Sequence, residues 1–524
     1  MPDGVRTTPP AAVTEPRTQE GDDARDLAGF GYRQELKRIL GVYSSFAVAF
    51  SYISPSTGIF TLYALGLGIG GAFFFWSWPL VALGQFLVAL NFAEVSSHFP
   101  VAGSVYQWSK YLANRHYSWF NGWIYLFAGI LTVTAVDLTV PIVLVPFLNG
   151  LGLSIPSGFW TPIVVGLLVL LSTTLLNVFG VRLVSIVNNT GVVFEILGMV
   201  VFALVLLIFF HHQSPSILTD TRYLGSGFGN ASGVFLAAMF MSLFVIYGFD
   251  TASTLAEETR NPRREAPRAV LASVIGAFVI GTIFLLATIL AIPGDANKFI
   301  TDTAGGKAAP PVDIITGNFG AGSLGSELYL FVVFAAIYVC CLAIQTSTIR
   351  LAFGMARDGK LPLGRIYNRV SPSLHTPVGT CIVIGLLSAI PVFYAGAGTV
   401  AISATCMIYL SYFLGNLAIL IARGKGWPKA GAPFRLHGWG AVVNVLALVW
   451  GGSMLVNFLW PRPGTIINPN TSELPGLAGI PLVGNVPIVE LTIGVVVLVG
   501  LVYYLIAQVN KPAQPLPQEA AVSA

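Results

Sequence analysis

Residues 39–67 read ILGVYSSFAVAFSYISPSTGIFTLYALGL, and residues 233–255 read GVFLAAMFMSLFVIYGFDTASTL. Each stretch exceeds the ~20 apolar residues that a helix needs to cross the hydrocarbon core. Each is also interrupted near its middle. The first carries Ser54, Pro55, Ser56, Thr57 and Gly58; the second carries Ile246, Tyr247, Gly248 and Phe249, followed by Asp250 at membrane depth. Pro removes a backbone donor and Gly weakens a helix. The freed N–H and C=O groups are tolerable in lipid only where they line a cavity or hold something. One such break is commonly a kink between packed helices. Two breaks at corresponding positions of two halves point to a binding site near the midplane.

Composition supports the membrane reading. Of 524 residues, 55% are hydrophobic and 10% charged, against about 25% charged in soluble domains, and mean hydropathy is +0.77. Twelve helical spans are expected, at 39–67, 72–93, 119–148, 160–178, 191–210, 233–255, 270–292, 328–352, 378–397, 399–421, 441–459 and 486–506. A β-barrel is excluded, because its strands would be ~10 residues of alternating polarity. With the N-terminus inside, only Arg222, Lys298, Lys307 and Arg462 of the 27 Lys and Arg fall outside. That asymmetry obeys the positive-inside rule and predicts two cytoplasmic termini. Residues 1–28 and 511–524 read as disordered tails, 29–425 as a ten-span core and 426–510 as two further spans. The outer loop 293–326 reads equally as a lid or a plain connector.

Several chemistries are excluded. The net charge of +4 is spread between apolar runs, not gathered on a face that would bind nucleic acid. Gly66 to Gly71 contain GxGxxG without a preceding strand, so no nucleotide site is expected. There is no Walker A, HExxH or suitably placed GxSxG sequence, and no cofactor site or enzymatic cluster stands out. Cys340, Cys341, Cys381 and Cys406 lack metal-ligand spacing and read as membrane-buried residues.

Four blocks occur in a recognisable order. They are Ser54 to Phe60; Glu94-Val95-Ser96-Ser97 with Pro100 to Ser104 and Tyr106-Gln107-Trp108; Tyr247 to Asp250 with Glu257 to Pro262; and Arg350 with Met355 to Pro362. With them the chain resembles the amino acid–polyamine–organocation transporter superfamily, and in particular its amino acid/choline branch, which includes GABA permeases. The resemblance implies an all-α leucine-transporter-type fold, with residues 39–210 and 233–421 as inverted five-span repeats plus two C-terminal helices. It implies a secondary permease in the plasma membrane, moving a small amino compound by alternating access. Ser54, Ser56, Thr57 and Gly58 match the family's carboxylate-binding turn. Ile246, Tyr247, Gly248 and Phe249 match the side that receives the amine and side chain.

The coupling ion is expected to be H⁺. Intramembrane acids are costly and often functional. Asp250 beside the second break is the first candidate for a proton or substrate-cation partner. Glu195 stands where proton-coupled relatives often carry lysine, and reads as a proton carrier or a hydrogen-bonded structural acid. Asp137 faces either the site or a neighbouring helix. Glu94, at the end of the second span, reads as an interfacial packing acid. Glu257, Glu258, Arg260 and Arg264 read as a cytoplasmic ion-pair gate or a solvated helix end. Thr346, Ser347 and Thr348 match the place where sodium-coupled relatives bind Na⁺, although hydroxyls in membrane helices usually bond backbone carbonyls. Neutral amino acids, GABA, polyamines and choline all remain open as substrates, as do passive facilitation or exchange as alternatives and the oligomeric state.

Overall fold

Along the helix Trp160–Phe179 the apolar residues are on the wrong side for water. Val164, Leu168, Leu171 and Leu175 form an exposed stripe, while Thr173 and Asn177 are buried. The next helix repeats this, exposing Phe194, Leu197, Val201, Leu204 and Ile208 and burying Ser185, Asn188 and Glu195. Steps of three and four residues place each set on one helical face. The solvent outside is therefore lipid, and the polar residues are folded inward.

The computed structural model describes residues 19–511 except 157, 225–229, 394–395, 429–430, 463–464, 466 and 471–485. The helices are α1 (Gln19–Gly29), α2 (Val42–Ile53), α3 (Pro55–Gly70), α4 (Ser77–His98), α5 (Ser104–Leu112), α6 (Arg115–Asp137), α7 (Val140–Gly150), α8 (Trp160–Phe179), α9 (Val181–Phe209), α10 (Ala231–Ala238), α11 (Phe240–Val245), α12 (Thr251–Thr254), α13 (Pro262–Leu290), α14 (Ala296–Ala304), α15 (Val312–Phe319), α16 (Leu324–Arg357), α17 (Gly364–Tyr367), α18 (Val378–Ala389), α19 (Ala397–Gly424), α20 (Gly440–Leu459) and α21 (Ile488–Ala507). Among the described residues β pairing is limited to two isolated bridges. Nine helical stretches there are long and apolar enough to cross a bilayer, and 231–245 and 378–393 are shorter apolar helices.

The interior is built by α6 against α19, α13 against α2 and α4, and α16 against α6 and α9. Small residues let these helices close up. A Cβ on Gly281 of α13 would lie 2.2 Å from the Trp78 ring of α4. All four cysteines are buried and free, as their apolar surroundings predict.

Several expectations are corrected. Helix α9 starts ten residues before the expected 191, directly after Gly180 (φ +118). Its first turns carry Arg182, Ser185 and Asn188, which a hydropathy reading excludes. Helix α13 starts at Pro262, where a proline at the first turn costs no hydrogen bond. The 293–326 loop is no plain connector: it contains α14 and α15, and α14 packs against α3. Of the expected tails, 1–18 and 512–524 lie outside the described residues, while Gln19–Gly29 is helical with Leu27 buried.

The N-terminal segment closes one face of the molecule. Leu40 N–H donates to the Glu258 carbonyl at 2.9 Å, and Arg260 N–H returns a bond to Leu40 at 2.9 Å. The Arg38 guanidinium donates to the carbonyls of Ala256 and Thr259 at 3.1 and 2.7 Å. Beneath this latch, Glu257 pairs with Arg357 and Glu258 with Arg350. Arg260 and Arg264, read from sequence as part of an ion-pair gate or of a solvated helix end, are exposed. Glu94 pairs with Arg423 and accepts from the Leu436 N–H, in keeping with an interfacial packing acid.

Arg350 and Glu258 are each only 1% exposed. Removing one partner of a buried pair costs about 3–5 kcal/mol, because the other charge stays buried alone. Arg350→Gln should therefore lower thermal melting of the detergent-solubilised protein. The double variant Glu258→Gln/Arg350→Gln should recover most of that loss, as read by size-exclusion melting curves.

Candidate functional site

The first break lies between α2 and α3. Ser54 takes a left-handed conformation (φ 34), ends α2 and caps α3, with Pro55 in the first helical turn. The helix start leaves N–H groups without carbonyl partners and carries a partial positive charge. Those groups are satisfied locally. Thr57 N–H donates to Ser54 Oγ at 3.3 Å, and Gly58 N–H donates to the Ser54 carbonyl at 3.2 Å. Glu195 on α9 supplies the remaining acceptor. Its Oε1 receives Ser54 Oγ and Ser56 Oγ, each at 2.7 Å, and the Ser56 N–H at 3.4 Å. The turn expected to bind a substrate carboxylate is here bonded to a carboxylate of the protein itself.

The second break separates α11 from α12. Gly248 has φ +85, which a residue with a side chain rarely adopts. Its N–H donates to the Tyr412 hydroxyl at 2.9 Å. The two breaks interlock through their glycines. A Cβ on Gly58 would lie 2.4 Å from Val245 Cγ2, at the end of α11. A Cβ on Gly248 would lie 1.9 Å from Tyr52 Cδ1, at the end of α2. Each broken helix therefore seats a side chain of the other in the space its glycine leaves.

Between the breaks is a closed cavity lined by Tyr52, Ile53, Thr57, Gly58, Thr132, Val136, Phe244, Tyr247, Cys340 and Ile344. Its water-accessible volume is ≈ 10 Å³, room for about one water. The Tyr52 and Tyr247 rings meet edge to face at 6.2 Å, and the Tyr247 hydroxyl is 3.5 Å from Thr132 Oγ1. The walls are aromatic and aliphatic, and the polar groups are two threonine hydroxyls, a thiol and the tyrosine hydroxyls. No charged side chain lines the space.

Of the residues singled out in the sequence, Thr57, Gly58 and Tyr247 line this cavity. Ser54 and Ser56 turn to Glu195. Ile246, Gly248 and Phe249 lie outside the lining, and the Phe249 ring packs at a tilt against Phe92 and Tyr412. Asp250 also lies outside it. Its carboxylate accepts from the hydroxyls of Ser104, Tyr125 and Tyr412, brought by α5, α6 and α19. This arrangement makes Asp250 a buried acceptor of three hydroxyls. Asp137 ends α6 and is fully buried; among the described residues neither oxygen has an N–H or O–H partner, and the Cys341 thiol lies beside it. Thr346, Ser347 and Thr348 do not converge. Thr346 donates to Asn177 on α8, Ser347 accepts from Thr251 on α12, and Thr348 donates to the Ile344 carbonyl.

Sequence reading missed Tyr52 and Ile53, although both immediately precede the break and end the half-helix. It also missed Thr132, Val136, Phe244, Cys340 and Ile344. Phe244 lies on α11 just before the second break; the other four lie within α6 and α16, where no local signal separates a cavity wall from ordinary packing.

Residues 40–480 match the family model described as amino acid permease. The chain is 27% identical over 489 residues to the amino-acid permease BAT1 of Arabidopsis thaliana, covering 88% of this chain and 92% of that protein. It is 28% identical over 469 residues to the BAT1 homolog of Oryza sativa subsp. japonica, with 83% and 87% covered. It is 27% identical over 447 residues to the branched-chain amino acid permease BcaP of Bacillus subtilis, with 83% and 91% covered. The match spans both helix breaks, the closed cavity and the lipid-facing helices, and the chain belongs to the amino acid permease family of membrane transporters.

Proposed function

We propose that this permease imports a neutral amino acid by alternating access, coupled to protons through Glu195. The observation that carries the reading is the interlocked pair of breaks around one small uncharged cavity. An amino acid is too large for ≈ 10 Å³, so binding requires the half-helices to part and the cavity to widen. Its carboxylate would compete with Glu195 for the start of α3, and protonation of Glu195 would release that turn. Its ammonium would meet the carbonyl end of α11, where the helix dipole is negative. The apolar walls favour an uncharged side chain, in keeping with the branched-chain substrate in the printed name of the Bacillus relative.

The reading keeps twelve crossings in two inverted five-span repeats, followed by two further helices. Its support is that the 57-residue stretch 42–98 is long enough to cross twice, and that the two short apolar helices supply further crossings. The face closed by Arg38, Arg350 and Arg357 is then cytoplasmic. Opening it requires the Leu40–Thr259 pairing to part.

The test is uptake into proteoliposomes of labelled neutral, basic and acidic amino acids, GABA, putrescine and choline. Each is offered with an inward proton gradient, a sodium gradient or none. Accumulation of a neutral amino acid driven by protons is expected. Accumulation of putrescine or choline alone, or drive by sodium alone, would overturn the reading.

Three variants sharpen it. Glu195→Gln should abolish proton-driven accumulation while leaving counterflow exchange, and unchanged proton stimulation would remove Glu195 from coupling. Gly58→Ala overpacks the helix crossing by ~1–3 kcal/mol, or roughly a 5- to 150-fold loss of transport rate; Val245→Ala should restore part of it. Asp250→Asn places an amide against hydroxyl donors, so protein yield and melting should fall while the substrate preference of the remaining uptake stays the same.

A further inference from the structure

On the face closed by the N-terminal latch, a cleft of ≈ 1020 Å³ opens between the starts and ends of α5, α6, α16, α17 and α21. It is lined by Lys110, Arg115, Arg357, Lys360, Arg365 and Lys511, with Asp358 as its acid. Asp358 is already committed: it accepts from Lys110 at 3.0 Å, Tyr32 at 2.9 Å and Tyr106 at 2.8 Å. Arg357 is committed to Glu257. The other four cations have no ion-pair partner among the described residues. Arg115 donates to the Lys511 carbonyl at 2.5 Å and Lys511 to the Gly359 carbonyl at 2.6 Å, which holds two positive charges beside the cleft without neutralising them. Lys360 is partly buried there. Burial, together with Lys110, Lys511 and Arg115, pushes its ammonium below the usual lysine value, against a smaller opposing effect from Asp358.

Uncompensated cations that converge in a half-buried cleft call for an anion. The surroundings indicate where it comes from. Leu363, on the cleft wall, is 73% exposed, and Tyr503 brings in α21, whose next residues Leu505 and Ile506 face the lipid. The cleft therefore lies at the level where phosphate headgroups meet acyl chains.

We infer that this cleft binds the phosphate of an anionic lipid headgroup, held by Arg115, Lys360, Arg365 and Lys511. The lipid would bridge the ends of α6, α16 and α21. The cytoplasmic assignment of this face rests on the proposed function; the binding does not. It is measured on purified protein without transport, so the two fail separately.

The test titrates full-length protein in neutral detergent with dioctanoyl phosphatidylglycerol, dioctanoyl phosphatidylcholine and inorganic phosphate, read by thermophoresis. Saturable binding of phosphatidylglycerol but not phosphatidylcholine is expected. Basic residues near an anionic surface contribute ~1 kcal/mol each, so Lys360→Gln/Arg365→Gln should weaken binding roughly thirtyfold. Lys360→Arg/Arg365→Lys, which keeps the charges, should retain it. Arg115→Gln alone should cost about fivefold, and serves if the double variant does not fold. Inorganic phosphate binding as tightly as the lipid would sustain the anion site and assign it to a soluble ligand. Equal binding of phosphatidylcholine, or wild-type affinity in the folded charge-removal variants, would overturn the inference.

Discussion

The structure depends on where a membrane helix can leave its backbone unpaired. Lipid offers no hydrogen bonds, so each break must be sealed by protein. Here the seal is reciprocal. Tyr52, ending the first half-helix, fills the space over Gly248; Val245, ending the other, fills the space over Gly58. Neither break is stable on its own terms. The surrounding helices then supply what polar groups remain: a carboxylate from α9 for one break and a tyrosine hydroxyl from α19 for the other.

This sharing explains why the buried acids have such different characters. Glu195 sits at the positive end of a helix with three donors aimed at one oxygen. Asp250 sits among three hydroxyls, brought by three helices. Asp137 has a thiol neighbour and no comparable donors. All three are buried acids, so burial alone is a poor guide to role.

Much of the architecture was legible because hydropathy reports helices directly. Both breaks were found from Pro55 and Gly248, whose backbone effects are local. What escaped was non-local or amphipathic. Glu195 meets Ser56 across 139 residues, and nothing near either residue announces the contact. The hydroxyls around Asp250 come from three separate helices. Helix α9 was shortened because its polar first turns face protein rather than lipid. Helix α1 was missed because a short, charged helix held by Asp23, Asp26 and Arg38 resembles a tail in composition. Thr346 and Thr348 donate to the carbonyls of Leu342 and Ile344, as hydroxyls in membrane helices usually do, and adjacent residues on a helix point apart.

The size of the central cavity has a consequence for the passage of ions. A space for one water cannot hold a file of waters, and a proton hops through liquid only along such a file. In this conformation the cavity is therefore no conduit for ions. The aromatic pair Tyr52 and Tyr247, which narrows it, is as much a dielectric plug as a wall.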